Sequence, residues 1–368
     1  MSTEAVQVPE PTRSALNEHA WRQACRIAIG STLGLAVVKL ADWPFGVFFA
    51  LYPVLLLGLV PVLKLPIALQ FIASSVVSIA MVNLLGLLGN ASPVLAAMVF
   101  FAFSLLCFRL MAAGPLFLFG ALSMVATSVL VHLASYPQVP KDDLFTAQFL
   151  ATLLAVIIAG LVHALLPEKR DMVRPGGQKP LVVVRHQMLL GAVCASASFI
   201  AFQLLDLSDS LSAQAATVLI LFPMSLEGGR NAAWTRVAGT LLGTLFALAL
   251  QLVLYTHVSQ VWLIVALYGT GMLLFAVMHV RENRGPAVGL SGATALAVLI
   301  GQLLPTGDLY GVSLYRFSSV AVAVGAMLLC IFAVDWFLRW YLADRALFGD
   351  RPSMQTTPVR DNREPHER

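Results

Sequence analysis

Charged residues are scarce in this sequence. They make up 11% of its 368 residues, whereas hydrophobic residues make up 59%, and the mean hydropathy is +0.84. Ordinary soluble domains carry about 25% charged residues, so this chain has too little charge to cover a soluble surface of ordinary size. The formal net charge is +4, but the basic residues are scattered through short loops, which argues against nucleic-acid binding. The composition predicts a polytopic membrane protein.

Several kinds of chemistry also lack their motifs. The sequence contains no G-x-x-x-x-G-K-[ST], H-E-x-x-H, G-x-S-x-G or C-x-x-C pattern, so we expect no P-loop ATP hydrolysis and no metal site or cofactor of these kinds. The four cysteines lie far apart in or beside apolar runs, at Cys25, Cys107, Cys194 and Cys330. We interpret them as small buried hydrophobic side chains and not as a disulfide framework.

Long apolar runs are abundant. A membrane-crossing helix needs about twenty mostly apolar residues, and each half of the chain holds six such stretches. In the first half they are 23–41, 44–63, 65–88, 92–110, 114–135 and 146–166. In the second half they are 187–205, 211–228, 233–255, 260–279, 286–304 and 315–341. We therefore predict an all-α polytopic membrane protein with about twelve transmembrane helices.

The distribution of lysine and arginine sets the predicted orientation. With a cytoplasmic N-terminus, every basic residue falls on the inner side except Lys39, Lys141 and Arg316. This asymmetry obeys the positive-inside rule, and the loss of any one span would destroy it. The short charged stretch HVRENRG, which begins at His279, is then a cytoplasmic turn. We predict that both termini are cytoplasmic and that the protein lies in a bacterial inner membrane.

The two halves resemble each other in sequence. Pro53 in FALYPVLLLGL aligns with Pro223 in LILFPMSLEGG, Gly114-Pro115 aligns with Gly285-Pro286, and Phe149 aligns with Phe317. Six helices per half orient both halves alike in the membrane, so we predict two parallel repeats. The predicted organisation is an N-terminal tail at 1–22, a first repeat at 23–166, a linker at 167–186, a second repeat at 187–342 and a disordered C-terminal tail at 343–368.

The paired prolines are candidates for helix breaks. Proline removes a backbone hydrogen bond and clashes with the preceding turn of a helix, and within lipid the freed carbonyl must find protein or cavity water. Pro53 and Pro223 therefore mark a pair of broken or kinked helices beside a transport path, or else plain structural kinks.

The second half resembles a known superfamily. RVAGTLLG, with Arg236, Gly239, Thr240 and Gly243, resembles the R-x-x-G-T-x-x-G signature of the fusaric acid resistance and aromatic acid exporter superfamily. The pair Tyr315-Arg316 resembles the start of that family's last span. Familiar members carry a large cytoplasmic domain after each six-span unit, which this chain lacks, and the first half lacks the signature. The chain is thus similar to the short branch of the superfamily.

This resemblance implies a function and partners. Members of the superfamily export small, often aromatic, organic acids or related toxic compounds, and the resemblance implies coupling to the proton gradient. The short branch is typically paired with a periplasmic adaptor of the membrane-fusion (HlyD) type. The resemblance leaves open an outer-membrane channel as a further partner and a homo-oligomeric state.

Several charged residues are candidates for the substrate path. Four arginines and two acids are predicted near the inner surface, where they would form a vestibule for organic anions or merely set topology: Glu227, Arg230, Arg236, Arg281, Glu282 and Arg284. Arg316 breaks the inside bias at the predicted outer face, and its counterpart in the first half is Gln148. Arg316 is therefore a candidate for an anion contact on the exit side, or else a residue without a role in transport. Gln70 and Asn83 are predicted to make polar contacts between helices.

Two other residues are candidates for proton coupling. An ionisable group inside a membrane span is costly and is a functional candidate by default. Asp335 is the best-placed acid, although it also stands four residues before Arg339, at the spacing of a helical salt pair. His163 lies near the inner end of the sixth span and is either a proton relay or a satisfied interfacial side chain.

The function predicted from these observations is export of small organic anions by an inner-membrane protein that is not an enzyme. Two alternatives stay open. A membrane-embedded enzyme acting on lipid-linked substrates would need a cluster of acids, histidines or serines at one interface, which only the surroundings of Glu227 and Glu282 approach. A structural subunit of an envelope complex would merely hold the adaptor in place.

Overall fold

The computed structural model describes residues 18–167, 179–205, 211–254, 260–282, 288–302 and 309–346, without the side chains of 309–313 and 341–346. Every regular element in these ranges is a helix, which confirms the all-α prediction. The first half contains α1 (Glu18–Ala41), α2 (Gly46–Leu59), α3 (Leu65–Ala91), α4 (Pro93–Ala113), α5 (Phe117–Ala134) and α6 (Lys141–Leu165). The second contains α7 (Leu181–Leu204), α8 (Leu211–Leu219), α9 (Leu226–Leu254), α10 (Val261–Glu282), α11 (Val288–Gly301) and α12 (Leu309–Ala346).

Local sequence signals set several helix boundaries. Ser92 accepts a hydrogen bond from the backbone N–H of Leu95 at 3.4 Å and caps α4, while Pro93 occupies the first helical position. A missing N–H costs nothing there because it would have no helical partner. Gly114 ends α4 with φ of 96°, a backbone conformation that glycine adopts without a side-chain clash. The turn into α5 therefore follows from the Gly114-Pro115 pair.

Helix length separates the twelve helices into two groups. Among the described residues, nine helices are long and apolar enough to cross a membrane, whereas α2 and α11 have 14 residues and α8 has 9. At about 1.5 Å per residue, α8 is only about 14 Å long, less than half of a hydrocarbon core of about 30 Å. The three short helices cannot cross the membrane without help from flanking segments.

The end of α8 differs from the prediction. The predicted eighth span was 211–228, but α8 ends at Leu219, a non-helical turn follows, and α9 begins at Leu226. Pro223 lies in this turn, where it cannot donate a backbone hydrogen bond and disfavours helix in the residue before it. Met224 follows with φ of 52°. Pro223 therefore does mark a break, although it lies outside the helix.

The short helices lie in the middle of the protein. Most residues of α2 and α11 are buried, as is nearly the whole of α5. The long helices instead expose apolar side chains, including Leu87 at 72%, Val322 at 72% and Leu329 at 71%. In a membrane these side chains contact lipid, which is as apolar as they are. The arrangement is an inner group of short helices enclosed by longer ones.

The packing partners of the two halves correspond. Helix α1 packs on α10, and its counterpart α7 packs on α4; α3 packs on α5, and α9 packs on α11. The halves also meet through the short helices, because α2 packs on α11 and α5 packs on α8. When six is added to or subtracted from each helix number, every one of these packing pairs becomes the other pair of its set. This correspondence supports the predicted repeat. The repeat and its boundaries remain a prediction.

Pro53 sits within a continuous helix, so the break expected there is not observed. Proline at position 53 frees the carbonyl oxygen of Phe49, four residues earlier. Gly34 of α1 lies against that oxygen, and a Cβ atom on Gly34 would lie 2.2 Å from it. A glycine on the neighbouring helix thus lets two backbones approach and covers the freed carbonyl. Pro53 marks a tight helix–helix contact.

This contact gives a stability prediction. Gly34→Ala places a methyl group against the Phe49 oxygen, and we expect a loss of about 1–3 kcal/mol from overpacking. Gly160→Ala on α6 is the control, because nothing lies within 4 Å of a Cβ atom there. It should leave stability unchanged or slightly raised. Thermal unfolding of the two purified variants in detergent measures both effects, and equal transition temperatures would contradict the close contact.

Candidate functional site

A cavity lies at the centre of the protein, between its two halves. It has a volume of about 70 Å³, several times the roughly 10–15 Å³ that one water molecule requires. Its lining comes from four helices of the first half and their four counterparts in the second: α2 and α8, α3 and α9, α5 and α11, and α6 and α12. The cavity therefore lies where the proposed repeats face each other.

The wall from the first half is mostly apolar and aromatic, and its polar residues are Ser74, Thr152 and the pair Tyr52 and Gln148. Phe48 and Tyr52 of α2 and Phe71 of α3 line it, and the rings of Tyr52 and Phe71 meet edge to face with centroids 5.8 Å apart. The Tyr52 hydroxyl donates a hydrogen bond to Oε1 of Gln148. This wall can hold a flat apolar ring and offers it few groups with which to hydrogen-bond.

The wall from the second half contains Arg236. The Arg236 guanidinium donates from Nη1 to Oγ1 of Thr294 at 2.8 Å, and Thr294 donates in turn to the carbonyl oxygen of Ser291 at 2.9 Å. The Nε of Arg236 is buried and has no hydrogen-bond partner among the described residues. Unsatisfied buried donors of this kind favour an acceptor, such as a carboxylate or water, in the cavity.

The family signature has a structural explanation around this arginine. A Cβ atom on Gly239 would lie 2.5 Å from the carbonyl oxygen of Val288, and one on Gly243 would lie 2.6 Å from that of Gly292. The two glycines thus let α9 and α11 pack backbone to backbone, which brings Thr294 within reach of Arg236. The glycines of the signature position its arginine.

Arg316 also lines the cavity, from α12. The sequence placed Arg316 at the outer end of its span and Arg236 near the inner end, yet both contribute to one cavity. Gln148, the counterpart of Arg316 in the first half, lines it too. The described lining residues include two arginines and no aspartate or glutamate. The electrostatic potential of the site therefore favours an anion.

Asp335 lies away from the cavity, in a cluster between α7 and α12. Its side chain is 4% exposed; one carboxylate oxygen lies 2.7 Å from Nε of Arg339, and the other lies 3.2 Å from Nε2 of His186. The salt pair with Arg339 is the one predicted from the four-residue spacing of Asp335 and Arg339. His186 is a partner that the sequence analysis did not predict. A carboxylate beside an imidazole can exchange a proton with it.

Two histidines bind the C-terminal end of α2. His163 of α6 lies with Nδ1 2.8 Å from the carbonyl oxygen of Ala159 and with Nε2 3.3 Å from that of Pro61, while His279 of α10 donates to that of Gly58 at 3.1 Å. His163 therefore has the contacts of a satisfied interfacial residue. Its predicted role in proton transfer stays a prediction.

The predicted inner vestibule is only partly described. Glu227, Arg230 and Arg281 are exposed, and Arg284 lies outside the described residues. Glu282 accepts a hydrogen bond from the backbone N–H of Gly289 at 3.3 Å and so caps the start of α11. In the part of the chain that the structure describes, no ion pair joins Glu227 or Arg230 to the acids and arginines of α10, and no His, Cys, Asp and Glu cluster could hold a metal ion.

The remaining predicted residues have structural contacts. Gln70 accepts a hydrogen bond from the backbone N–H of Phe119 at 3.3 Å, which ties α3 to the start of α5. Asn83 donates only within its own helix, to the carbonyl oxygen of Ile79. Neither Pro53 nor Pro223 is among the residues of the cavity wall. Tyr52 and Thr294 were not predicted, because a single tyrosine or threonine in an apolar run carries no distinctive pattern.

Comparison with known proteins finds two family matches, one in each half of the chain. Residues 193–330 match the family described as fusaric acid resistance protein-like, and residues 23–162 match a family described as a protein of unknown function (DUF2955). Neither the curated proteins nor the solved structures gave a significant match. The matched range in the second half includes the Arg236 to Gly243 signature, so the comparison agrees with the resemblance seen in the sequence. The apolar helices make the protein a multi-pass inner-membrane protein.

Proposed function

We propose that this fusaric acid resistance-like protein exports small aromatic acids from the cell, and that the central cavity is its substrate site. The observation that carries the proposal is the lining of that cavity, which joins an aromatic wall to two arginines and contains no described carboxylate. An aromatic carboxylate needs both features, because its ring is apolar and its charge requires a partner in a low-dielectric site.

The position of the cavity also supports transport. Ligand sites of transporters built from repeats lie near the middle of the membrane at the interface of the repeats. Here each lining helix has its counterpart from the other half, so movement of one half against the other would open the cavity to either side in turn. In the described state the cavity holds only a few water molecules, and a benzoate-sized anion would require the walls to part.

The arginines give the first test of this proposal. Arg316→Gln introduces the residue that the first half carries at Gln148, and we expect the KM for benzoate to rise about 10- to 100-fold, because a hydrogen bond to a charged group contributes about 1.5–3 kcal/mol. Arg236→Gln should act in the same direction. Efflux of radiolabelled benzoate from proteoliposomes measures both variants.

Arg230→Gln is the matched control for these variants. Arg230 is an exposed arginine on the same helix as Arg236, and it lies outside the described lining of the cavity. We expect its KM to stay within about twofold of the unmodified protein, since surface charges contribute little. Equal effects from all three replacements, or no effect from any, would contradict the substrate site.

We further propose that export is driven by protons and that Asp335 carries them. Asp335 and Arg316 lie on the same helix, about 28 Å apart at 1.5 Å per residue. Protonation of Asp335 removes its charge and weakens its attraction to Arg339 and to His186 of α7. Helix α12 also supplies Arg316 to the cavity. A change in the packing of α12 on α7 would therefore move Arg316 in the substrate site.

A coupling residue can be separated from a substrate-binding residue. Asp335→Asn should abolish benzoate accumulation driven by a proton gradient, yet keep benzoate exchange across the membrane within about twofold, since exchange needs no net proton movement. Glu227→Gln is the control, because Glu227 is an exposed acid on α9, and it should keep both activities. An Asp335→Asn variant that accumulates benzoate like the unmodified protein would refute the coupling role.

We propose that a periplasmic adaptor of the membrane-fusion type is the partner of this exporter. The support is the family resemblance and the absence of a large soluble domain within the predicted linker, which leaves the membrane part to dock an adaptor directly. A gene for a single-span periplasmic adaptor beside the gene for this chain, and co-purification of the two proteins, would support the partnership. If the isolated chain alone conferred full export from intact cells, the adaptor would not be needed.

A further inference from the structure

A second recess lies on the outside of the helix bundle, between α7, α8 and α12. This lateral groove has a volume of about 540 Å³. Its rim consists of exposed residues that include Ala201, Leu205, Val322 and Ala326, so the groove opens toward the surrounding lipid. Its floor includes Ser198 of α7 and Thr217 of α8, which are buried. It is therefore a polar-floored recess in an apolar, lipid-facing surface.

One layer of helix separates the lateral groove from the central cavity. On α8, Ser212, Ala215 and Leu219 line the cavity, whereas Ala213 and Thr217 line the groove. Helix α12 also contributes to both spaces, because Arg316 lines the cavity and its neighbour Tyr315 lines the groove. Since α8 has only nine residues and is flanked by non-helical chain on its C-terminal side, this wall is the shortest segment around the cavity.

A described glycine of α1 packs closely against the neighbouring helices of the first half. There, Gly30 of α1 packs so closely that a Cβ atom would lie 2.2 Å from Leu57 of α2 and 3.4 Å from Ile158 of α6. In the second half, Gly191 of α7 instead faces Phe108 of α4, where a Cβ atom would lie 2.3 Å from the ring. Gly30 thus brings α1 close to α2 and α6, whereas Gly191 brings α7 close to α4, on a different side from α8 and α12.

The floor of the groove offers hydrogen-bond acceptors. Thr217 donates its hydroxyl hydrogen to the carbonyl oxygen of Gln214 at 2.8 Å, so Ser198, which lies 2.8 Å from the Thr217 hydroxyl, must donate to it. Both hydroxyl hydrogens are then engaged, and the oxygen lone pairs that remain suit a donor. A carboxylate has no hydrogen to donate, whereas a protonated carboxylic acid has one.

We propose that the lateral groove is an entrance through which the uncharged form of an aromatic acid passes from the bilayer into the central cavity. Only the uncharged acid dissolves in hydrocarbon, since an isolated carboxylate is far too costly there. Its ring suits the apolar rim, its O–H suits the acceptors of Ser198 and Thr217, and the arginines beyond α8 favour the ionised form. This inference rests on the proposed function and deepens it, because it names acids that partition into the membrane as the substrate class.

A blocked groove tests the entrance. Ala326→Trp places a large side chain at the rim, and Gly325→Trp is its control, because Gly325 is the adjacent exposed residue and nothing lies within 4 Å of a Cβ atom there. The probes are naphthoate, which enters membranes as the free acid, and para-sulfobenzoate, whose sulfonate keeps it in water. For Ala326→Trp we expect a fall of about tenfold in naphthoate transport with sulfobenzoate transport unchanged, and Gly325→Trp should change neither.

Native Cys330 supplies a second test that needs no bulky substitution. Cys330 lines the groove, so in a protein whose other three cysteines are replaced by alanine, a pyrene maleimide dissolved in the bilayer should label it. Naphthoic acid in mildly acidic buffer should slow that labelling about tenfold, whereas sulfobenzoate should not, because only the uncharged acid occupies the groove.

The outcomes separate the two proposals. If unmodified protein transports naphthoate, and neither the rim variant nor the labelling responds to it, the entrance is refuted while export stands. If naphthoic acid protects Cys330 but no aromatic acid is transported, the groove binds the acid and the proposed export is refuted, and with it the entrance. Equal loss of both probes in Ala326→Trp, with unprotected Cys330, also overturns the entrance.

Discussion

The thickness of the hydrocarbon core is the constraint on which this structure depends. A helix shorter than about twenty residues cannot place both of its ends in water, so α2, α8 and α11 must satisfy their terminal backbone groups inside the protein. The long helices enclose them, and side chains and glycines from those helices supply what the short ones lack. His279 binds the Gly58 carbonyl near the end of α2, His163 lies against the Pro61 carbonyl just beyond it, Glu282 caps the start of α11, and Gly34 covers the carbonyl freed by Pro53. A cavity at the centre follows, because short helices from two halves meet there without filling the space.

Much of the architecture was predictable because membrane solvation leaves a strong signature in the sequence. Apolar runs located every helix that the structure describes, although not its exact ends. The extent of α8 was not predictable, since hydropathy reports which residues avoid water and not where the backbone stays helical. Leu221 and Met224 are as buried and apolar as residues of a span, yet they belong to a turn. In this turn the backbone N–H groups of Leu221, Phe222 and Met224 instead bond to carbonyl oxygens three residues earlier in the same segment.

The candidate site was predictable only in part, for a related reason. Arg316 could be predicted because it is a basic residue on the outer side, where the positive-inside rule expects few. Arg236 could be predicted because it belongs to the family signature. The neutral half of the site gave no signal, because Tyr52, Gln148 and Thr294 differ little in hydropathy pattern from residues that merely join helices. His186 was missed for another reason: its partner Asp335 is far away in sequence, and no spacing rule connects α7 with α12. The exposed acids and arginines of the inner loops have strong sequence signals, yet the described ones lie outside the cavity.

The differences between the halves carry as much information as their likeness. Two corresponding sets of helices surround the cavity, but the first supplies Tyr52 and Gln148 where the second supplies Arg236 and Arg316. Glycines of α1 pack closely on α2 and α6, whereas Gly191 of α7 faces α4, and the described groove lies beside α8. If both halves served packing alone, there would be no reason for charge and groove to fall on the same side. An aromatic anion has one charged end and one apolar end, and a site with one charged wall and one aromatic wall fits that asymmetry better than a symmetric site would. Under the proposed function, the second half would be specialised for binding the acid group, and the first half would supply the apolar wall against which the ring rests.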